Sequence, residues 1–274
     1  MKKLPLGNQN LINLDTKSFI SFMENPSSVS RILQEHTEIS KRINTEGSKS
    51  QEREKTSGDV KLIDFLCGFG KTITNSLSSD TTKFLCMVHP TSDKLYEFWN
   101  MILKTGSRVI AVLAAEDEVN NQYWRPDADV KCKEIRIKIV RIVMMDSYRK
   151  TTLQLKQDGE VKEVVHLHYT KWPLDNISHC PSQLIKFISI VNSISAEDKT
   201  DQGAPIVVQC NDGAKSSVFC LLEMCISEFR KSKVVSVAKV LLKMRQTYGS
   251  GISEPEDYLF CYNALYHFVT KYKN

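Results

Sequence analysis

The fold is decided by residues 205–224, whose sequence is PIVVQCNDGAKSSVFCLLEM. The apolar run Ile206–Val208 predicts a short buried strand, and Gln209 and Cys210 follow at its end. A small polar segment containing Gly213 then leads into an apolar run that predicts a helix. A cysteine placed here would lie beneath backbone N–H groups and a helix N-terminus, which favour anions and reactive thiols. A cysteine at a strand end is also a common packed core residue, so this stretch alone leaves both interpretations open.

Outward from this stretch, the pattern mixes helices and strands. Residues 11–44 have apolar side chains at helical spacing, with Asp15 as a helix cap and a break at Asn25-Pro26. Residues 45–60 are polar and predict an exposed loop. The remaining predicted elements are strands within 83–88, 108–113, 131–145 and 151–169 (with a turn at 157–159), and helices within 92–105, 184–195 and the C-terminal region 216–272. This mixture predicts a single α/β (α+β) domain over residues 1–274.

The composition is that of an ordinary globular protein. Hydrophobic residues make up 41% and charged residues 25%, and the net charge of +5 is too small to indicate nucleic-acid binding. The eight cysteines form no CxxC pair and no Cys/His cluster with zinc spacing, so we expect reduced thiols, no metal and no cofactor. The N-terminus lacks the apolar stretch of a signal peptide, and no run approaches about 18 apolar residues. We therefore expect a cytoplasmic protein without a membrane segment.

Five segments in a fixed order carry a wider resemblance. The loop is similar to the motif His-Cys-Ser-x-Gly-x-Gly-Arg-Thr/Ser-Gly and matches it at Cys210, Gly213 and Ser217. The other four segments are Phe98–Ile102, Gln122–Trp124, His168–Pro173 and Ile252–Tyr258. From about residue 30 to the C-terminus they resemble the non-receptor protein tyrosine phosphatases, which implies a central mixed, highly twisted sheet flanked by helices. The start Arg31–His36 resembles the tyrosine phosphatase-like proteins of bracoviruses, which parasitoid wasps carry.

The resemblance implies a thiolate nucleophile, an arginine that grips phosphate and a carboxylic acid, and the phosphate loop departs from this pattern. Cys210 remains as a vestigial nucleophile, but the arginine position carries Ser216, whose hydroxyl has one donor where a guanidinium has five. Gln209 replaces the preceding histidine, and Asp212 puts a negative charge where a dianion would bind. Lys215 is one residue out of register, so its ammonium would not reproduce a bidentate clamp. The remaining loop residues are Asn211, Gly213, Ala214 and Ser217.

The other catalytic loops of the family are altered as well. The family's Trp-Pro-Asp segment reads Trp172-Pro173-Leu174, and Asp175 is a displaced candidate acid one residue later. Leu62 stands where the family has the tyrosine that stacks on phosphotyrosine. Ser253 replaces the glutamine that positions water, and Asp257 replaces the second glutamine of that loop.

The sequence therefore predicts a pseudophosphatase, a catalytically inactive tyrosine phosphatase-like protein that acts by protein binding. The bracovirus resemblance implies a virulence role in the host cell cytoplasm, with a phosphoprotein or immune signalling protein as partner and no nucleic acid or membrane partner. We expect a monomer. Two alternatives remain open: a weak or divergent phosphatase that uses Cys210, Lys215 and Asp175, and a phosphotyrosine-binding trap. A thiol-redox or metal function of Cys210 is disfavoured, because no resolving cysteine or ligand set accompanies it.

Overall fold

The computed structural model describes residues 11–46, 70–73, 84–114, 130–171, 181–197, 203–211, 213–248 and 251–272. Its contacts group the chain into two compact units, Lys55–Cys220 and the pair of segments Met1–Glu54 with Leu221–Asn274. The expectation of one domain over residues 1–274 stays a prediction. No helix in the described ranges is long and apolar enough to span a membrane.

The secondary structure contains strands and helices along the whole described chain. In chain order the elements are β1 (Leu14–Asp15), α1 (Thr16–Met23), α2 (Ser28–Glu46), β2 (Gly70–Ile73), β3 (Phe84–Met87), a 3-10 helix (Ser92–Lys94), α3 (Leu95–Thr105), β4 (Val109–Leu113), β5 (Val130–Cys132), β6 (Ile135–Met144), β7 (Tyr148–Gln157), β8 (Glu160–Tyr169), α4 (Pro181–Ala196), β9 (Ile206–Gln209), α5 (Ala214–Ser232), β10 (Val234–Val235), α6 (Val237–Tyr248) and α7 (Pro255–Tyr272).

The unit Lys55–Cys220 is built on an eight-stranded sheet in the order β2-β3-β9-β4-β8-β7-β6-β5. The pairs β3–β9, β9–β4 and β4–β8 are parallel, and the outer pairs are antiparallel. Every residue of β3, β4 and β9 is buried, as expected for parallel strands covered on both faces. Helix α3 packs against β6 and helix α4 against β4. The predicted mixed α/β fold with a central mixed sheet is confirmed.

The antiparallel half of this sheet contains more turns than the sequence predicted. The turn between β7 and β8 was predicted, and Asp158 and Gly159 adopt positive φ angles of 51° and 86°, as a two-residue hairpin requires. The predicted strand within 131–145 is instead two strands, because Lys133 has a φ of 53° and reverses the chain after β5. Lysine is not a typical turn residue, so the residue type at position 133 does not predict this reversal.

The unit formed by Met1–Glu54 and Leu221–Asn274 is mainly helical. Asp15 caps α1 as predicted, because its carboxylate accepts hydrogen bonds from the backbone N–H groups of Lys17 (2.9 Å) and Ser18 (3.0 Å). These bonds lower the pKa of Asp15. The two-stranded pairing of β1 with β10 was not predicted, and the segment Val234–Val235 had been expected to be helical. Glu46 extends α2 into the predicted loop 45–60, and the rest of that loop lies outside the described residues.

A buried carboxylate holds three segments of this unit together. The side chain of Glu35 in α2 is fully buried. It accepts a hydrogen bond from the N–H of Ile12 (2.5 Å) and from the hydroxyl groups of Tyr258 (2.7 Å) and Tyr262 (2.5 Å). Burial raises the pKa of Glu35, and the three hydrogen bonds partly oppose that shift. Glu35 therefore links the chain before α1 to helices α2 and α7.

Replacement of Glu35 by leucine should destabilise the fold strongly. The change Glu35→Leu leaves the donors of Ile12, Tyr258 and Tyr262 without their acceptor, and each such loss costs roughly 1–3 kcal/mol. We expect the free energy of unfolding, measured by urea denaturation, to fall by about 3 kcal/mol or more.

The matched variant Glu35→Gln keeps an acceptor but cannot titrate. Because the pKa of Glu35 is raised above its ordinary value of 4.5, the folded state binds the proton more tightly than the unfolded state. The stabilisation from this proton is fully present below pH 4.5 and is lost as the pH rises through the folded pKa. The stability of the wild type relative to Glu35→Gln should therefore decrease with rising pH. A difference that stays flat would contradict this assignment.

Candidate functional site

The cysteine singled out by the sequence lies at the carboxyl end of a central parallel strand. Strand β9 is paired with β3 on one side and with β4 on the other, and Gln209 is its last residue. The N–H of Cys210 continues the ladder with a 3.2 Å hydrogen bond to the carbonyl of Met87. Gln209 and Cys210 are both fully buried. Ligand sites of open α/β sheets form at this edge, outside the carboxyl ends of the strands.

The chain turns at Gly213 immediately before helix α5. Gly213 has a φ of 86°, a left-handed conformation that side chains with a Cβ atom disfavour. Its N–H donates a hydrogen bond to the Sγ atom of Cys210 (3.1 Å). Its carbonyl accepts hydrogen bonds from the N–H (3.2 Å) and the hydroxyl (2.9 Å) of Ser217 in the first turn of α5. The turn thus folds back over the thiol and begins the helix.

The hydroxyl of Ser216 is in direct contact with the thiol. Its Oγ atom lies 3.3 Å from the Sγ atom of Cys210 and 3.0 Å from the carbonyl oxygen of Gly213. A hydroxyl has one hydrogen to donate, and the carbonyl can only accept, so the hydroxyl donates to Gly213 and accepts from the thiol. These distances fit a neutral S–H group at Cys210 that donates to Ser216 and accepts from the N–H of Gly213.

The loop side chains differ in their access to solvent. Lys215 and Ser216 are each only 2% exposed, and Ser217 is also buried. Lys215 interacts with another group of the chain, as a buried ammonium requires. Asn211 is exposed, and Ala214 is half-buried. The structure therefore brings Cys210, Gly213, Ser216 and Ser217 together, while Asp212 lies outside the described residues.

The strand that leads to the predicted acid loop is held by a buried histidine. The Nδ1 atom of His168 lies 3.2 Å from the Nη2 atom of Arg149, and its Nε2 atom lies 2.9 Å from the carbonyl oxygen of Ala114. Because a guanidinium only donates, Nδ1 is the acceptor and Nε2 carries the proton. Sequence reasoning quoted His168 but missed Arg149, which lies directly opposite it in the β7–β8 register. The residues Trp172, Pro173, Leu174, Asp175 and Leu62 lie outside the described residues.

The two former glutamine positions belong to the mainly helical unit. The Nε2 atom of His36 lies 3.2 Å from the carbonyl oxygen of Ile252, and its ring packs on Tyr258 with centroids 5.1 Å apart. These contacts hold both ends of the segment that contains Ser253, which is exposed. Asp257 lies in the first turn of α7, where a negative charge is favourable, and is 9% exposed. The roles assigned to Ser253 and Asp257 by resemblance stay predictions.

The other five described cysteines are free thiols. The Sγ atoms of Cys86 and Cys220 lie 3.5 Å apart as free thiols. In the mainly helical unit, burial raises the pKa of Cys225 and of Cys261. Among the residues that the structure describes, no group of three or more His, Cys, Asp and Glu side chains could hold a metal ion.

Comparison with known proteins gives consistent matches. Residues 72–267 match the family model described as protein-tyrosine phosphatase. The "Probable tyrosine phosphatase protein J4" of Microplitis demolitor bracovirus (isolate Webb) is 36% identical, covering 98% of this chain and 96% of that protein. The human "Tyrosine-protein phosphatase non-receptor type 9" is 25% identical over 66% of this chain and 34% of its own length. The structure solved for PTPN18 superimposes with a TM-score of 0.73 at 15% identity, covering 93% of this chain and 99% of that one.

The hydrogen bonds of the loop predict the reactivity of Cys210 toward iodoacetamide. We expect its alkylation rate to rise with pH only in the range of a free cysteine, about 8.5, or above. The change Ser216→Ala removes the acceptor of the S–H group and should shift this profile to lower pH. The measurement is the alkylation rate of the Cys210 peptide against pH by mass spectrometry.

The matched control is Ser217→Ala, because the hydroxyl of Ser217 donates to Gly213. This variant should leave the midpoint of the alkylation profile unchanged. A shift of the Ser216→Ala profile to higher pH would mean that the hydroxyl donates to a thiolate, which would contradict a neutral thiol at Cys210.

Proposed function

Because this chain belongs to the protein-tyrosine phosphatase family, we propose that it is a catalytically inactive member, a pseudophosphatase that acts by binding other proteins. The observation that carries this proposal is the contact between Ser216 and Cys210. In the family motif, the position of Ser216 belongs to the arginine that grips the phosphate group. Here its one hydrogen-bond donor is already directed at a backbone carbonyl.

The loss of the guanidinium removes both charge and geometry from the loop. Arginine holds two phosphate oxygens through parallel N–H bonds, and a hydroxyl can make one uncharged bond. Removal of a single oxyanion donor costs roughly 3–4 kcal/mol, or about 10²–10³ in kcat. The loop residues 209–217 contain no arginine at all. Transition-state stabilisation in this loop should therefore be severely reduced.

The state of the thiol adds a second cost. Nucleophilic attack on phosphorus needs a thiolate, and the S–H group of Cys210 is fully buried and donates to a neutral hydroxyl. Gln209 supplies an uncharged amide where the family has histidine, and Asp212 adds a carboxylate to the loop sequence. A nearby negative charge disfavours formation of a thiolate.

The sequence of the acid loop supports the same conclusion. A positioned general acid contributes about 10²–10⁴ in rate. Leu174 occupies the acid position of the Trp-Pro-Asp segment, and Asp175 is displaced by one residue. Ser253, in place of the water-positioning glutamine, is shorter and has lost the amide group. These changes affect separate steps of the reaction, so restoration of one residue alone should not restore turnover.

The similarity to a bracovirus protein supports a proposal about the location and the partners of this chain. We propose that the chain acts in the cytoplasm of an infected host cell as a monomeric virulence protein that binds host signalling proteins or phosphoproteins. This proposal rests on the 36% identity to the J4 protein over nearly the whole of both chains. No cofactor enters this proposal.

One observation favours a second candidate function, a phosphotyrosine-binding trap or a weak phosphatase. Lys215 is the second residue of α5, next to Ser216 and close in sequence to Cys210. A buried cation at a helix N-terminus attracts anions. We favour the pseudophosphatase because Lys215 is 2% exposed and already interacts within the chain. A phosphate group would have to displace that interaction.

The proposal predicts no measurable hydrolysis of phosphotyrosine peptides or aryl phosphates. The reason is the combined change at Ser216, Leu174 and Ser253, each of which removes a different contact to the transition state. Phosphate release is measured at high enzyme concentration beside an active family member. Cys210→Ser is the matched control for contaminating activity, and Cys220→Ser tests a buried cysteine outside the loop. A rate above background that disappears in Cys210→Ser alone would refute catalytic inactivity.

The proposal also predicts that the loop does not retain phosphotyrosine. We expect no heat of binding for a phosphotyrosine peptide, sulfate or vanadate in calorimetric titrations up to about 1 mM, because a helix N-terminus contributes only about 0.3–2 kcal/mol. The decisive variant is Lys215→Ala. Micromolar binding that is lost in Lys215→Ala would favour the trap over the pseudophosphatase.

A further inference from the structure

Among the described strands, β6 has an edge that is only partly paired. It pairs with β7 over Arg136–Met144, but β5 pairs with it only over Ile135–Ile137. Among the described strands, none lies beside the outer edge of Lys138–Met144. We refer to the segment Lys138–Met145 as the β6 edge. Unpaired N–H and C=O groups along such an edge can accept another extended chain.

Apolar side chains continue along the β6 edge beyond the core. Ile137 and Ile139 lie opposite the buried residues Leu155 and Leu153. Val140 is the extra residue of a bulge, and the register then places Ile142 and Met144 on the same face as that buried row. Four of these side chains are nevertheless exposed: Val140 by 54%, Ile142 by 45%, Met144 by 61% and Met145 by 49%. Ile142 and Met144 thus continue the buried row as exposed apolar side chains, and exposed apolar patches often mark binding surfaces.

The opposite face of β6 carries three basic residues and the half-buried Val143. Arg136, Lys138 and Arg141 are exposed, and their partners in β7 lie on the solvent face of that strand. Because Val140 is the extra residue of the bulge, Arg141 lies on the same face as Arg136 and Lys138. The ten residues of β6 include no acidic residue. An extended chain beside this strand would therefore meet positive charge on one face and apolar side chains on the other.

We propose that the β6 edge binds an extended segment of a partner protein, with acidic side chains alternating with apolar ones, as an added antiparallel strand. The inference rests on the proposed function, in which the chain acts by protein binding. Main-chain hydrogen bonds supply the pairing, and the alternating side chains supply the selectivity. Acidic residues of the added strand face the basic row, and its apolar residues cover Ile142 and Met144.

Charge argues against a second copy of this chain as the occupant. An antiparallel pair of β6 strands centred on the bulge would place Lys138 near Arg141 of the other copy. Like charges directly opposite each other destabilise a sheet. Charged residues and bulges are the means by which natural edges avoid self-association. The same basic residues favour a partner strand that carries acidic side chains.

The test uses a synthetic probe of about ten residues in which glutamate alternates with valine. A lysine–valine peptide of equal length is the charge control, and a glutamate–valine peptide with alternate N-methylated amides is the backbone control. We expect the glutamate–valine peptide to bind at least tenfold more tightly than either control by fluorescence anisotropy. Hydrogen exchange of the amides in Lys138–Met144 should slow when it is bound.

Two variants of exposed residues locate the site. Lys138→Glu with Arg141→Glu should weaken binding of the glutamate–valine peptide at least tenfold and improve binding of the lysine–valine peptide. The matched control, Lys94→Glu with Lys186→Glu, makes the same change of net charge on exposed helical residues outside the sheet. It should retain binding within a factor of two to three. Near-UV circular dichroism verifies that both variants are folded.

Several outcomes would overturn the proposal. Equal binding of both peptides, or no slowing of exchange along the β6 edge, would exclude strand addition there. A dimer in sedimentation velocity that Ile142→Lys dissociates would make a second copy the occupant. Binding to phosphatidylserine vesicles that is lost in the β6 variant, without peptide binding, would make the edge a membrane surface. Phosphatase turnover is a separate measurement, so failure here is distinguishable from failure of the proposed inactivity.

Discussion

The candidate site depends on the hydrogen bonding of strand β9 along both of its edges. The pairing with β3 and β4 fixes the direction and register of this strand. The hydrogen-bond ladder then extends to Cys210 through the carbonyl of Met87. The left-handed turn at Gly213 and the start of α5 then follow within four residues. None of these features requires a catalytic side chain, because they use backbone groups, apolar packing and one glycine. The backbone of a phosphate-binding loop can therefore persist after its chemistry has changed.

The same turn places the hydroxyl of Ser216 next to the thiol of Cys210. Ser216 fits that space and forms hydrogen bonds with Cys210 and Gly213. The result is a compact, buried group of hydrogen bonds around the sulfur atom. Such an arrangement favours the folded state and disfavours the thiolate that catalysis needs.

Local patterns in the sequence predicted the elements around the site, but they could not predict the contacts between distant residues. The apolar run before Cys210 and the Asp158-Gly159 turn were recognisable because strand and turn signals lie within a few residues. Glu35 has no such signal, since its neighbours in α2 are ordinary helix residues and its tyrosine partners follow more than 220 residues later. The family motif likewise assigned a position to Ser216 without indicating that its hydroxyl touches the thiol. Distances of this kind arise from tertiary packing.

The sheet separates the chemistry of the loop from the proposed binding edge. From β9 to β6 the order is β9-β4-β8-β7-β6, which is four strand spacings, or roughly 19 Å across the sheet. Residues at such a distance with no shared partners usually contribute independently to stability and binding. Substitutions in the loop could therefore abolish catalysis without altering the exposed row that ends at Met144. Conversely, binding through the basic face of β6 does not depend on the thiol. The proposed binding surface on β6 is thus compatible with the altered residues of the loop, because the two lie on different strands of the sheet.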